Sequence, residues 1–210
     1  MILMICYSNN KGGLKMEIIH ERAKLRLMDN TDVETLFSIV EGNRDIWAYL
    51  ISKMDSVQDM QQYVQKAIKG YGRGTQMPFI VVDQQSNKIV GSTRLYNISV
   101  EDKTVELGQT WYHPSVQRTS INTECKYMLL QYAFEKLHML RVQIKTDARN
   151  ERAQRAIERL GAVKEGVLRN ERKLPNGYVR DAVVYSIISS EWPGVKEQLL
   201  EKLELYKEKL

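Results

Sequence analysis

A chain of 210 residues, 43% hydrophobic and 27% charged, can bury a full core in one domain, which excludes wholesale disorder, and its 2 cysteines exclude a disulfide-stapled scaffold. The net charge of +5, from 31 Lys and Arg against 26 Asp and Glu, suits a solvated surface or a small polyanionic ligand and, with no RNA- or DNA-binding signature, does not point to nucleic acid. No apolar run reaches a membrane span, no secretory pattern opens the chain, and 3 histidines without Cys/His spacing give no metal site, so a cytoplasmic protein without metal is expected.

Met1 to Leu14 differs in character from the rest of the chain. Lys11-Gly12-Gly13-Leu14-Lys15-Met16 is the peptide that a purine-rich ribosome-binding site yields when translated in frame. Residues 1–15 are therefore expected to be a leader outside the fold, with Met16 as the native start. Residues 16–194 then form a single domain and 195–210 a C-terminal amphipathic helix, which could pair two copies into a homodimer.

Glu21 to Met28 alternates like a strand. Thr31-Asp32-Val33-Glu34 has the capping-box spacing and predicts a helix start. Ser56-Val57-Gln58-Asp59 is a second such box, for a helix closed at Gly70. Phe79 to Asp83, Lys88 to Tyr96 and Thr104 to Tyr112 are predicted as three meandering strands. A long helix follows Asn122, and Arg141 to Thr146 is an alternating strand. Asn150 to Leu160 is a short helix stopped by Gly161. Val163 to Leu168 and Ala182 to Ile188 are strands joined through Pro175-Asn176-Gly177. This order predicts an α/β (α+β) fold with a mixed, mostly antiparallel central sheet and helices on both faces.

The joint between Trp111 and Thr123 carries the most chemistry. A loop ending at a helix N-terminus presents free N–H groups and the positive end of the helix dipole, both suited to pyrophosphate. Arg118 adds a permanent charge, and Ser120, Asn122 and Thr123 are small and polar. An ordinary helix capped by Thr119 or Ser120 fits the same residues.

Gln117-Arg118-Thr119-Ser120-Ile121-Asn122 resembles motif A of the GNAT superfamily of acetyltransferases, Q/R-x-x-G-x-G/A, with Ser120 and Asn122 standing at the glycine positions. Asn122-Thr123-Glu124-Cys125-Lys126 looks like the RimJ/RimL-like branch, the ribosomal-protein N-terminal acetyltransferases. The resemblance continues through Lys145 to Asn150, Ala153 to Ala162, Glu165 to Arg169 and Tyr178 to Asp181. It implies an acetyl-CoA-dependent N-acetyltransferase acting on a small-molecule or peptide amine in a ternary complex. It also implies a cofactor cleft where the strands Thr104–Tyr112 and Arg141–Thr146 splay. Backbone at Trp111 and Tyr112 would hold pantetheine and polarise the thioester, Gln117 to Thr123 would cradle the phosphates, and Asn150 would bond the pantetheine arm.

Acetyl transfer requires a base, because an ammonium is no nucleophile. Glu106 is the candidate, placed by alternation on one face with Gly108, Thr110 and Tyr112; a salt-bridge role fits it equally. No acid for the leaving thiolate is evident, since Ala153 and Ile157 stand where relatives carry Ser or Tyr. Trp47 and Tyr49 are candidates for the acceptor pocket or for the core, and Cys125 reads as core. Arg149 and Arg155 are either phosphate partners or a solvated face, and Arg152 reads as face. The missing glycines and acid leave a second possibility, a degenerate scaffold that binds acyl-CoA or a protein without turnover.

Overall fold

Phe79 to Val82 offers no polar side to solvent, so a strand built from it must be covered on both faces. The structure, a computed structural model, describes residues 4–8 and 15–207 and places this strand near the middle of one sheet. Among the described residues the strands are β1 (Met4–Ser8), β2 (Lys15–Ile19), β3 (Ala23–Leu27), β4 (Gln76–Asp83), β5 (Lys88–Ser99), β6 (Thr104–Tyr112), β7 (Arg141–Asp147), β8 (Val163–Lys173) and β9 (Val179–Ile188). They lie in the order β1-β2-β3-β4-β5-β6-β7-β9-β8. Every neighbouring pair is antiparallel except β6 with β7.

Helices α1 (Val33–Glu41) and α2 (Val57–Gly72) cover one face of the sheet. On the other lie α3 (Ile121–Gln131), α4 (Glu151–Glu158) and α5 (Trp192–Lys207). Ile80 and Val82 pack among Leu36, Met60 and Val64 from α1 and α2. Phe79 and Val81 pack with Met128 of α3 and Leu199 of α5 in a second core. Strand alternation thus splits one apolar run between two cores. The parallel step from β6 to β7 needs a crossover, and α3 supplies it.

Ser56 and Asp59 form the expected capping box, and α2 runs on to Gly72 rather than stopping at Gly70. At α1 the cap differs from expectation. Asp29, not Thr31, closes a box with Asp32 and starts a 3-10 turn that leads into the helix. Asp32 also pairs with Arg26 of β3, a tertiary contact that selects this register.

Residues 4–8 were expected outside the fold but pair antiparallel with β2 as an edge strand; residues 1–3 and 9–14 lie outside the described residues. The C-terminal helix begins at Trp192, three residues before the expected Val195, and residues 208–210 lie outside the described residues. Its apolar residues Trp192, Val195, Leu199 and Leu203 pack in the molecule's own core, while Leu205 is exposed.

β5 and β6 approach closely beside the site. A Cβ on Gly91 would lie 2.2 Å from the Trp111 carbonyl oxygen. Gly91→Ala is expected to destabilise by about 1–3 kcal/mol, read as a lower thermal midpoint, because backbone rather than a movable side chain blocks the methyl.

Candidate active site

β6 and β7 pair only through Thr104–Arg141, Val105–Val142 and Glu106–Gln143. Beyond these residues the strands part, as expected, and a cleft of about 1300 Å³ opens between them. Leu107, Ile144 and Thr146 line its floor.

A bulge shapes the β6 wall. Ser92 faces Trp111 and Arg94 faces Gly108, so Gln109 and Thr110 together oppose Thr93. Gln109 takes a φ of +46° to make the extra residue fit. The bulge reverses the alternation beyond it. Trp111 therefore joins the α1/α2 core, while Thr110 contacts Lys126 of α3. This corrects the expected shared face: Thr110 and Tyr112 do not lie on the side of Glu106 and Gly108. A bulge disrupts ladder pairing and frees backbone groups at the cleft mouth.

The backbone of the loop before α3 does not require the absent glycines. The left-handed residue is Arg118, at φ +64°, ahead of both motif glycine positions. Ser120 is right-handed, at φ −64° and ψ −22°, so the backbone makes no demand for glycine there. Its hydroxyl turns away from the cleft to donate to Glu124 Oε1 at 2.6 Å. Gln117, Arg118, Thr119, Asn122 and Thr123 line the cleft. Ser120 and Ile121 do not: the Ile121 side chain is fully buried in the core, and only its backbone faces the loop.

Asn150 caps α4, its Oδ1 accepting from the Ala153 N–H at 3.0 Å, which leaves Nδ2 as a donor at the cleft wall. Arg152 is exposed, as expected of a solvated face, and it also reaches the loop. It donates to Gln117 Oε1 at 2.7 Å and so joins α4 to the loop. Arg149 instead pairs with Asp147 and stacks 3.6 Å from the Tyr178 ring centre, with Tyr49 at 5.7 Å. Arg155 pairs with Glu151 while also lining the cleft.

Tyr49 is exposed and lines the cleft. Trp47 does not reach it. Its ring lies between Tyr63 and Trp111, at 5.4 and 5.5 Å, and its Nε1 donates to the Ser52 carbonyl at 2.7 Å. Two aromatic partners and a satisfied N–H make Trp47 a core residue, correcting its place among acceptor-binding candidates.

Glu106 is 8% exposed. Its Oε1 accepts from Asn97 Nδ2 at 2.8 Å and its Oε2 lies 3.2 Å from Lys145 Nζ. Burial, and then the Glu106 charge, push the Tyr96 phenol up, so it stays protonated. Glu106 itself does not line the cleft; Tyr96, Asn97 and Lys145 do, and the last two contact its carboxylate. Cys125 is core, as expected, and burial pushes its thiol up to about 12.

Sequence reading missed two residues in the cleft wall. Lys126 donates to Thr110 Oγ1 at 2.7 Å, and burial lowers its ammonium to about 8. Its position four residues after Asn122, on the same helix face, was an available signal. Arg94, buried on β5, carried none, since no local pattern marks it. Ala153 and Ile157 line the cleft without a proton to give.

The acetyltransferase (GNAT) domain model matches residues 22–163. The chain belongs to the GNAT acetyltransferase family. A structure from T. thermophilus, provisionally described as an acetyltransferase, is 31% identical with a TM-score of 0.80, covering 89% of this chain and 96% of its own. YdaF of Bacillus subtilis strain 168, provisionally named a ribosomal N-acetyltransferase, is 25% identical over 85% of this chain and 97% of its own. RimL, the ribosomal L7/L12 alpha-N-protein acetyltransferase, shares the GNAT fold at a TM-score of 0.77, with 22% identity over 87% of this chain and 99% of its own. The protein is thus a GNAT N-acetyltransferase, with proteins named as ribosomal N-acetyltransferases among those it is similar to. Among the described residues no helix is long and apolar enough to cross a membrane.

Proposed function

We propose that this GNAT enzyme transfers the acetyl group of acetyl-CoA directly to a primary amine, in a complex holding both substrates. The observation that carries the reading is the parting of β6 and β7 at Glu106, beside a bulge at Gln109 and a helix-capping loop that places Arg118 in the cleft. Such a loop offers N–H groups and positive charge to a pyrophosphate. Asn150 Nδ2 would bond the pantetheine arm, and the freed backbone near Trp111 would polarise the thioester carbonyl. Glu106 is the base that takes the ammonium proton, relayed by Tyr96 or one water. Lys126, with its lowered proton affinity, returns a proton to the departing thiolate. The names of YdaF and RimL favour a peptide N-terminus as acceptor. A degenerate scaffold is not favoured, because the right-handed Ser120 removes the backbone objection to the altered motif.

Thermal unfolding with acetyl-CoA tests this without knowledge of the acceptor. At about a hundred times its dissociation constant, acetyl-CoA is expected to raise the midpoint by about 5–10 °C. Arg118→Ala is expected to weaken binding about tenfold or more. Equal shifts with ATP, or none with any CoA species, would overturn the reading.

A further inference from the structure

Arg94 is 3% exposed, and among the described residues it forms no ion pair. Its Nη1 donates to Gln76 Oε1 at 3.0 Å, and its guanidinium carbon lies 4.5 Å from the Tyr63 ring centre. These contacts fix the guanidinium plane and satisfy one end of it. The opposite edge, Nε with Nη2, is buried without a hydrogen-bond partner among the described residues. A buried charge in that state is costly unless something pairs with it. The edge left open is the one that grips a carboxylate with two parallel hydrogen bonds.

The surroundings agree. The Tyr63 hydroxyl and Trp111 Nε1 are also buried without partners, and both residues line the cleft with Arg94. These are proton donors, and a group that only accepts would satisfy them together. Arg94 faces Gly108 and Tyr96 faces Glu106, so Arg94 and Glu106 share one face of the sheet, two residues apart along it. A cation and an anion so arranged match an acceptor that carries both an ammonium and a carboxylate.

We propose that Arg94 anchors a carboxylate of the amine acceptor, so that the enzyme acetylates amino acids or peptides with an acidic group close to the reacting amine. This rests on the acetyltransfer reading above and adds the acceptor's chemical class. The carboxylate is supplied either by a free amino acid or by an acidic side chain beside a peptide N-terminus.

The test is CoA release by the full chain with saturating acetyl-CoA and matched acceptor pairs. One set pairs free amino acids with their carboxamides. The other pairs C-terminally amidated Ala-Asp and Ala-Glu peptides with their Ala-Asn and Ala-Gln counterparts. The acid of a pair is expected to exceed its amide by about 10- to 100-fold in kcat/KM, and the set that shows the preference identifies the source. Arg94→Gln is expected to bring that ratio near one, and Arg94→Lys to keep part of it, with acetyl-CoA thermal shifts confirming that each variant is folded. Should Arg94→Gln fail to fold, the wild-type ratio decides alone. Turnover with acid and amide equal in both sets, or a preference that survives in folded Arg94→Gln, overturns the anchor and leaves acetyl transfer standing. Absence of both acetyl-CoA binding and turnover overturns both.

Discussion

Glu106→Gln is expected to lower kcat by about 10²- to 10⁴-fold while leaving acetyl-CoA binding in place. The amide keeps the shape of the carboxylate and can still accept from Asn97, so the wall of the cleft stays formed. What it loses is the capacity to take a proton. Glu106 does not itself line the cleft, whereas its neighbours Tyr96, Asn97 and Lys145 do, so the proposed base role requires an intermediate oxygen to carry the proton. Tyr96 suits that task because burial keeps its phenol protonated. The deciding measurement is the pH dependence of kcat/KM in wild type and variant. A base requires the acidic limb of the profile to disappear along with the rate. A kcat within threefold of wild type would instead make Glu106 a structural partner of Lys145.

Glu124→Ala is expected to destabilise the protein by about 3–5 kcal/mol, measured by denaturant unfolding. Glu124 is buried at the start of α3, against the turn between β2 and β3. Its Oε2 accepts from the N–H groups of Arg22 and Ala23, both at 2.8 Å, and lies 3.1 Å from His20 Nδ1. Its Oε1 accepts from Ser120 at 2.6 Å. Truncation strands two backbone donors and loosens the loop that precedes α3. Burial alone would raise this carboxyl, but the hydrogen bonds from His20, Ser120, Ala23 and Arg22 outweigh it and hold the group below its ordinary value of 4.5. The ionised group therefore stabilises the fold fully above that value, and the contribution is lost as pH falls through the lower folded-state value. The gap between wild type and Glu124→Ala should narrow in that acidic range. A gap that is constant across it would count against an ionised Glu124.

Where local pattern decides structure, the sequence was a sound guide. The Ser56 box and the Gly161 stop rest on contacts within a few residues, the three-strand meander on short turns between successive strands, and all were predicted. The α1 cap was misplaced because Arg26, from another strand, recruits Asp32. Trp47 was ambiguous for a related reason: nothing near it in sequence reveals that Tyr63 and Trp111 close around it.

The site divides along the same line. The proposed cofactor loop is a contiguous run, Gln117 to Thr123, and its family resemblance was readable there. The rest of the cleft wall depends on register. One inserted residue at Gln109 turns Trp111 to the opposite face from the one alternation assigns. Arg94 became notable only when β4, β5 and α2 enclosed it and left one edge unpaired. Motifs and periodicity are local, so the family, the mixed sheet and the loop chemistry were already legible in the order of residues. Which other residues line the cleft depended on the folded chain, because burial, strand register and the pairing of charges join positions far apart along it.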